Sequence, residues 1–182
     1  EVIAIASFPR YNLNTLNADY TALSKNPLKP FLNRPIQSVL PPGSTFKIVT
    51  AIAALEENKI DENTHFSCYG SLKVGNIRFR CLTKYGHGLL NVEEAMQYSC
   101  NVFFFETAKI LGGKLLEKWA KNFGLGNTTD IDLAYEKKGN IPKSRSFSQT
   151  INLSIGQGAM LVTPIQMARM IATIANGGWH TK

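Results

Sequence analysis

The pair Ser44 and Lys47 is the feature that most constrains this chain, because it places a hydroxyl and an amine three residues apart where an apolar helix begins. Residues i and i+3 of a helix are neighbours, so a partly desolvated Lys47 amine is expected within hydrogen-bond reach of Ser44 Oγ. Such an amine takes the serine proton as the oxygen attacks a carbonyl. The pattern predicts an acyl-serine enzyme, and a helix cap followed by an exposed lysine is the alternative interpretation.

A second polar group, Ser99-Cys100-Asn101, follows about fifty residues later between two predicted helices. Its hydroxyl can shuttle a proton, and its side-chain amide can hold a substrate carbonyl. Ser-x-x-Lys accompanied by Ser-Asp-Asn is a signature of penicillin-binding proteins and class A β-lactamases, and here Cys100 occupies the central position. Taken alone, the triplet is also consistent with a cap of the helix that begins near Val102.

Six segments in order along the chain carry a more specific resemblance: 33–37, 40–47, 86–88, 99–104, 154–158 and 163–168. Together they resemble the transpeptidase domain of class B penicillin-binding proteins, in particular the elongation-type penicillin-binding protein 2 branch. The resemblance implies that Ser44 is the acylated nucleophile and Lys47 its base. It likewise implies that Ser99 relays the proton and that Asn101 positions the substrate.

The resemblance implies an α+β fold of the penicillin-binding protein transpeptidase and serine β-lactamase type, with a helix-rich part and part of an antiparallel sheet. The implied activity is peptidoglycan D,D-transpeptidation on D-Ala-D-Ala stem peptides, with β-lactams as inhibitors and no cofactor needed for acyl transfer. Implied partners are a membrane glycan polymerase and elongation-complex proteins, at the periplasmic face of the inner membrane. A β-lactam-binding sensor and a serine β-lactamase-like protein are the alternatives.

One family motif has no counterpart in the chain. The resemblance places a Lys-Thr-Gly strand several tens of residues beyond Gly178, and residues 1–182 contain no such triplet. That strand would supply an oxyanion-hole amide, whose loss typically costs about 10²–10³ in rate. The expectation is therefore a single partial transpeptidase domain over 1–182, lacking the anchor and the Lys-Thr-Gly region and weakly acylated by β-lactams.

Composition excludes several other classes of protein. Hydrophobic residues make up 44% of the chain and charged residues 18%, which suits one folded core and excludes a disordered chain. The net charge of +7 comes from scattered Lys and Arg residues, so nucleic-acid binding is not expected, and an anionic membrane or cell-wall polymer is the better partner. No stretch approaches the twenty or so apolar residues that span a bilayer.

Local patterns predict a mixture dominated by helices. Strands are expected over 1–7 and within 63–88, and a loop over 130–145. Helices are expected over 19–25, 44–57, 92–98, 102–111, 115–123 and 164–175. The Phe103-Phe104-Phe105 run and Trp119 are predicted to lie in the core, and His65 and His180 have no evident role. Gly156-Gln157-Gly158 lacks the context of a phosphate loop and is expected to allow close backbone packing near the active-site floor.

The three cysteines and His87 make up one possible tetrahedral zinc set. Cys68 and Cys81 bracket an alternating, hairpin-like stretch that would bring their thiols together, while Gly86 and Gly88 let the chain turn around His87. Because the cysteine spacing matches no zinc knuckle, a Cys68–Cys81 disulfide and unpaired thiols remain alternatives.

The resemblance adds support for zinc, since some elongation-type relatives carry similar zinc-capable residues at corresponding places. The predicted ligands are Cys68, Cys81, His87 and Cys100. Because Cys100 is the centre of the Ser-x-Asn triplet, a metal bound there is expected to fix the loop that carries Ser99 and Asn101.

Overall fold

The computed structural model describes residues 2–179 and forms a helical body flanked by two small antiparallel sheets. Its helices are α1 (Leu16–Lys25), α2 (Arg34–Gln37), α3 (Lys47–Glu56), α4 (Val92–Gln97), α5 (Asn101–Leu111), α6 (Gly113–Asn122), α7 (Phe147–Ser154) and α8 (Pro164–Ala175), with 3₁₀ turns at Leu13–Thr15 and Gly43–Phe46. Its strands are β1 (Phe66–Cys68), β2 (Ser71–Val74), β3 (Ile77–Arg80) and β4 (Gly88–Leu90). The predicted mixed fold class is confirmed.

Helix α5 is the centre of the core and packs against α3, α6 and α7. Phe103, Phe104 and Phe105 are at most 2% exposed, as the sequence predicts. Helical geometry directs three consecutive residues to different sides, so the N-terminal half of α5 must be covered on several sides. Trp119, also predicted to be core, is half-buried against this core and donates its indole N–H to Glu57 Oε1 at 2.9 Å.

The two sheets cover one side of α5. Strand β1 pairs with β4 so that Cys68 faces Gly88, and β2 pairs with β3 through a two-residue turn at Gly75-Asn76. An aromatic contact attaches each sheet to the helix, with ring centroids 5.1 Å apart for Phe66 and Phe103 and 5.7 Å for Phe79 and Phe105. These contacts hold both sheets beside the first turn of α5.

The predicted strand over 1–7 is wrong for the described residues 2–7, which form no strand. A strand requires a hydrogen-bonded neighbour, and no described segment pairs with this one. Glu1 and His180 lie outside the described residues.

Two helices escaped prediction. Helix α2 has only four residues. Helix α7 begins with a capping box, in which the side chains of Ser146 and Gln149 each accept a hydrogen bond from the other residue's backbone N–H. This Ser-x-x-Gln pattern was the available signal for α7. The predicted helix over 44–57 begins instead as a 3₁₀ turn and becomes α-helical at Lys47.

Among residues 2–179, no helix has the length and apolarity needed to cross a bilayer.

Candidate active site

Ser44 lies exposed in the 3₁₀ turn that precedes α3. Side chains at i and i+3 eclipse in a 3₁₀ turn, which places Ser44 and Lys47 on the same side. Their predicted direct hydrogen bond is nevertheless not formed in this structure, because the Lys47 ammonium donates elsewhere. Catalytic hydrogen bonds are often long before substrate binds, so the missing bond does not exclude Lys47 as the base.

Lys47 is almost fully buried, with 1% of its surface exposed. Its Nζ donates to Ser99 O at 2.7 Å, to Ser99 Oγ at 3.0 Å and to Asn101 Oδ1 at 2.7 Å. The face of the Phe104 ring lies beneath the same nitrogen, 5.6 Å from it to the centroid. The structure thus brings together Lys47, Ser99 and Asn101, which the sequence placed in two separate motifs.

Burial lowers the pKa of Lys47 to about 8, although the nearby thiols of Cys81 and Cys100 act in the opposite direction. An ammonium is disfavoured where water cannot solvate it, which is the reason for this direction. Near neutral pH a useful fraction of Lys47 is therefore uncharged and able to accept a proton.

Ser99 has a left-handed backbone with φ of 51°, which is uncommon for a residue with a side chain. It follows α4, where its N–H donates to Met96 O and the Cys100 N–H donates to Ala95 O. This turn presents both the carbonyl and the hydroxyl of Ser99 to Lys47. Such strained geometry persists only where neighbouring contacts impose it.

Asn101 is held from two sides. Its Oδ1 accepts from Lys47, and its Nδ2 donates to the backbone carbonyl of Arg80 at 3.2 Å. Arg80 is the last residue of β3, so the small β2–β3 sheet orients the amide. Sequence analysis missed Arg80 because every residue carries a carbonyl and no pattern marks this one.

The end of α7 and the residues just after it form hydrogen bonds with the Ser44 turn and with α3. The Gly43 N–H donates to Gly156 O at 2.9 Å, and Thr50 Oγ1 donates to Ser154 O at 2.8 Å. Gly156 has φ of +65°, and a Cβ there would lie 2.4 Å from Gly43 O. The close backbone packing predicted for this segment is confirmed.

Cys68, Cys81, His87 and Cys100 converge beside the same loop, with their ligand atoms within 4.8 Å of one another. His87 Nδ1 lies 3.7 Å from Cys68 Sγ and 3.6 Å from Cys81 Sγ, and Cys81 Sγ lies 3.9 Å from Cys100 Sγ. All three cysteines are free thiols, so the alternative Cys68–Cys81 disulfide is absent from the structure. The predicted hairpin between Cys68 and Cys81 is confirmed as β2–β3.

The thiols differ in their acidity. Burial raises the pKa of Cys100 to about 12. Burial also raises the pKa of Cys81. Hydrogen bonds to its sulfur, led by the backbone N–H groups of Val102 and Asn101, have the larger combined effect, so the pKa of Cys81 is lowered overall. The first turn of α5 thus favours a thiolate at Cys81.

Residues 1–182 match the family model of the penicillin binding protein transpeptidase domain. The chain belongs to this family. It is 37% identical to the peptidoglycan D,D-transpeptidase MrdA of Escherichia coli strain K12, across 97% of this chain and 31% of that protein. It is 38% identical to the stage V sporulation protein D of Bacillus subtilis, across 98% of this chain and 27% of that protein. The chain therefore spans about a third or less of the curated relatives it matches.

Solved structures of family members share the fold. The Pseudomonas aeruginosa PBP2 complex with WCK 5153 has a TM-score of 0.91 at 29% identity, covering 97% of this chain and 44% of that one. The Helicobacter pylori PBP2 complex with MreC has a TM-score of 0.90 at 30% identity, covering 94% and 35%. A ceftriaxone acyl-enzyme of Mycobacterium tuberculosis penicillin-binding protein A has a TM-score of 0.88 at 26% identity, covering 96% and 42%.

Proposed function

We propose that the protein carrying this chain is a peptidoglycan D,D-transpeptidase that works through an acyl-serine at Ser44. The observation that carries the proposal is the contact of one buried amine, Lys47, with both functional residues of the Ser-x-Asn motif. Family membership supports it, as does the MrdA relative, whose name states this activity.

In the first step Ser44 Oγ attacks the carbonyl between the two terminal D-alanines of a stem peptide. A C–O bond forms and the C–N bond breaks, so the terminal D-alanine leaves as an amine and takes up the proton that Ser44 lost. In the second step the amine of another stem peptide attacks the ester. Ser44 then regains its proton, and a new amide cross-links the two peptides.

We propose Ser99 as the proton relay, and hydrogen-bond chemistry supports this role. Ser99 O and Asn101 Oδ1 can only accept, whereas the Ser99 hydroxyl can also donate. When Lys47 is neutral, its lone pair can accept a hydrogen bond from the Ser99 hydroxyl, whose oxygen lies 3.0 Å away. A proton from Ser44 then reaches Lys47 through Ser99, which is consistent with the missing direct bond between Ser44 and Lys47.

The test is cross-linking of two synthetic stem peptides, one ending in D-Ala-D-Ala and one offering a free amine. We expect one D-alanine released for each peptide dimer formed. Release without dimer would indicate a carboxypeptidase, and rapid turnover of a β-lactam such as nitrocefin would indicate a β-lactamase. A covalent β-lactam adduct that forms without any peptide turnover would indicate a sensor.

The pKa of Lys47 gives a pH dependence. Because the reactive form is the neutral amine, we expect the acylation rate to rise about tenfold per pH unit below about 8 and to level off above it. Stopped-flow acylation with a fluorescent penicillin measures this profile. A rate that is flat from pH 6 to 9 would exclude Lys47 as the base.

We also propose that Cys68, Cys81, His87 and Cys100 hold one structural zinc ion. Zinc binds thiolates at about 2.3 Å and imidazole at about 2.0 Å, so a tetrahedral site needs ligand atoms about 3.5–3.8 Å apart. The separations of 3.6, 3.7 and 3.9 Å fit that requirement. Four protein ligands leave no open position, so such an ion would organise the Ser99–Asn101 loop and take no part in acyl transfer.

Location and assembly follow from the proposed activity. Cross-linked peptidoglycan lies outside the cytoplasmic membrane, so we propose that this site works on the periplasmic side. The matched Helicobacter pylori protein was solved with MreC, and another match with a TM-score of 0.86 belongs to a peptidoglycan synthase complex. We propose corresponding partners, a glycan polymerase and a protein of the elongation machinery.

A further inference from the structure

The β2–β3 hairpin has a basic outer face. Residues 63–92 contain no Asp or Glu, and four exposed cations lie between Lys73 and Lys84: Lys73, Arg78, Arg80 and Lys84. Within residues 2–179 the ion pairs are Lys109–Glu106 and Lys118–Glu57, so none of these four cations has an acidic partner.

The strand register places these charges on one side. Lys73 lies directly opposite Arg78, and Ser71 opposite Arg80. Side chains of directly opposed residues share a face, and alternate residues of a strand do so too. Leu72 and Phe79 form the intervening pair on the other face and pack against the core. Lys73, Arg78 and Arg80 therefore form one surface, named here the basic face.

The Lys73–Arg78 pair is unfavourable for folding. Like charges directly opposite each other destabilise a hairpin, and nothing in the described structure neutralises these two. Such a pair is useful when an anion binds between the two side chains.

The basic face adjoins the active site. The carbonyl of Arg80 accepts from Asn101 Nδ2, so the end of β3 lies beside the amide proposed to hold the substrate. Arg78 and Arg80 are two residues apart on one strand, which separates them by about 6.6–6.8 Å. An extended peptide that runs along the strand presents alternate side chains at the same spacing.

We propose that the basic face is a docking surface for an extended, carboxylate-bearing peptide and guides that peptide to Asn101. The inference rests on the proposed function, because it takes this peptide to be the stem peptide of peptidoglycan. The carboxylates it recognises are those along the peptide and exclude the terminal one beside the scissile bond. Charge complementarity identifies the occupant, and the contact with Asn101 favours a peptide over a lipid surface.

The experiment compares two synthetic pentapeptides ending in D-Ala-D-Ala, one with free internal carboxylates and one with those groups amidated. D-alanine release is measured with the wild-type full-length protein and with Lys73→Glu, Arg78→Glu and Lys114→Glu. Lys114 is an exposed lysine of α6 and controls for the change in net charge. Lys73→Glu places a carboxylate opposite Arg78, so this variant should fold at least as stably as wild type.

For Lys73→Glu and Arg78→Glu we expect KM for the acidic peptide to rise about five- to tenfold with little change in kcat. We expect KM for the amidated peptide to stay constant and Lys114→Glu to behave as wild type. The inference would be overturned if no variant raised KM for the acidic peptide relative to KM for the amidated peptide. Binding of each protein to vesicles containing phosphatidylglycerol is measured as well. If Lys73→Glu and Arg78→Glu lost this binding with no change in peptide KM, the surface would be a lipid-binding one and the inference would also be overturned. Failure of the wild-type protein to release D-alanine would instead refute the proposed function.

Discussion

Ser44→Ala is expected to abolish the covalent adduct that penicillin forms with the full-length protein. Ser44 is exposed in the turn that leads into Lys47 and precedes that amine by three residues. Mass spectrometry of the peptide that contains residue 44 measures the adduct directly. Thr45→Ala is the matched control, since it removes the neighbouring exposed hydroxyl, whose Oγ1 donates to Pro42 O. An adduct of unchanged yield in Ser44→Ala would refute the assignment of the nucleophile.

Lys47→Ala belongs to the same experiment and should leave Ser44 in place but slow acylation by about 10²–10⁴, the usual contribution of a positioned base. It also removes the three hydrogen bonds that hold Ser99 and Asn101. Ser99→Ala distinguishes loss of proton transfer from loss of the hydrogen bonds that hold the loop. It removes the proposed relay but keeps the backbone carbonyl that Lys47 also contacts. Acylation of Lys47→Ala at the wild-type rate would require a different base.

Zinc removal is the second change for which we expect a large effect. Elemental analysis of protein purified without added metal should find about one zinc per chain, because four protein ligands make a closed site. Cys81→Ser and His87→Ala should each lower the zinc content sharply. His65→Ala is the matched control, since His65 is exposed, its Nδ1 contacts the carbonyl of Asn63, and it is not one of the four clustered residues.

A chelator is expected to lower Tm and to slow acylation, because binding of the metal is coupled to folding around it. The readout that distinguishes this from general unfolding is recovery of both properties when zinc is restored. A metal-free preparation with a Cys68–Cys81 disulfide and undiminished Tm would favour the disulfide alternative.

Helices α3, α5 and α8 were predictable because each carries its own local signal. Helix α8 is preceded by Thr163, which forms a capping box with Gln166, and has proline in its first turn, while α5 carries a long apolar run from Val102 to Phe105. The mixed fold class followed from local patterns and from the family resemblance, and motif spacing predicted that Ser44 and Lys47 lie on one side of the turn. Spacing could not give the details of geometry, such as the 3₁₀ turn at Ser44 or the left-handed Ser99.

The unpredicted parts depend on contacts between segments distant in sequence. The carbonyl of Arg80 reaches Asn101 only because β3 packs on α5, and the Phe104 ring lies under Lys47 only because α3 crosses α5. Backbone acceptors and buried rings have no pattern that marks such a role. The prediction of a strand over 1–7 was wrong for a related reason. Alternation indicates the propensity to form a strand but not whether another strand is present to pair with it.

The contact between Gly43 and Gly156 limits how this site can change by single mutations. A methyl group at Gly156 would meet the carbonyl of Gly43, and both residues have positive φ. Every single-nucleotide change that replaces Gly156 therefore adds a side chain where none fits. Under the function proposed above, β-lactam selection would have to reach altered forms of the Ser44 turn through other positions, such as the exposed Thr45 and Gln157.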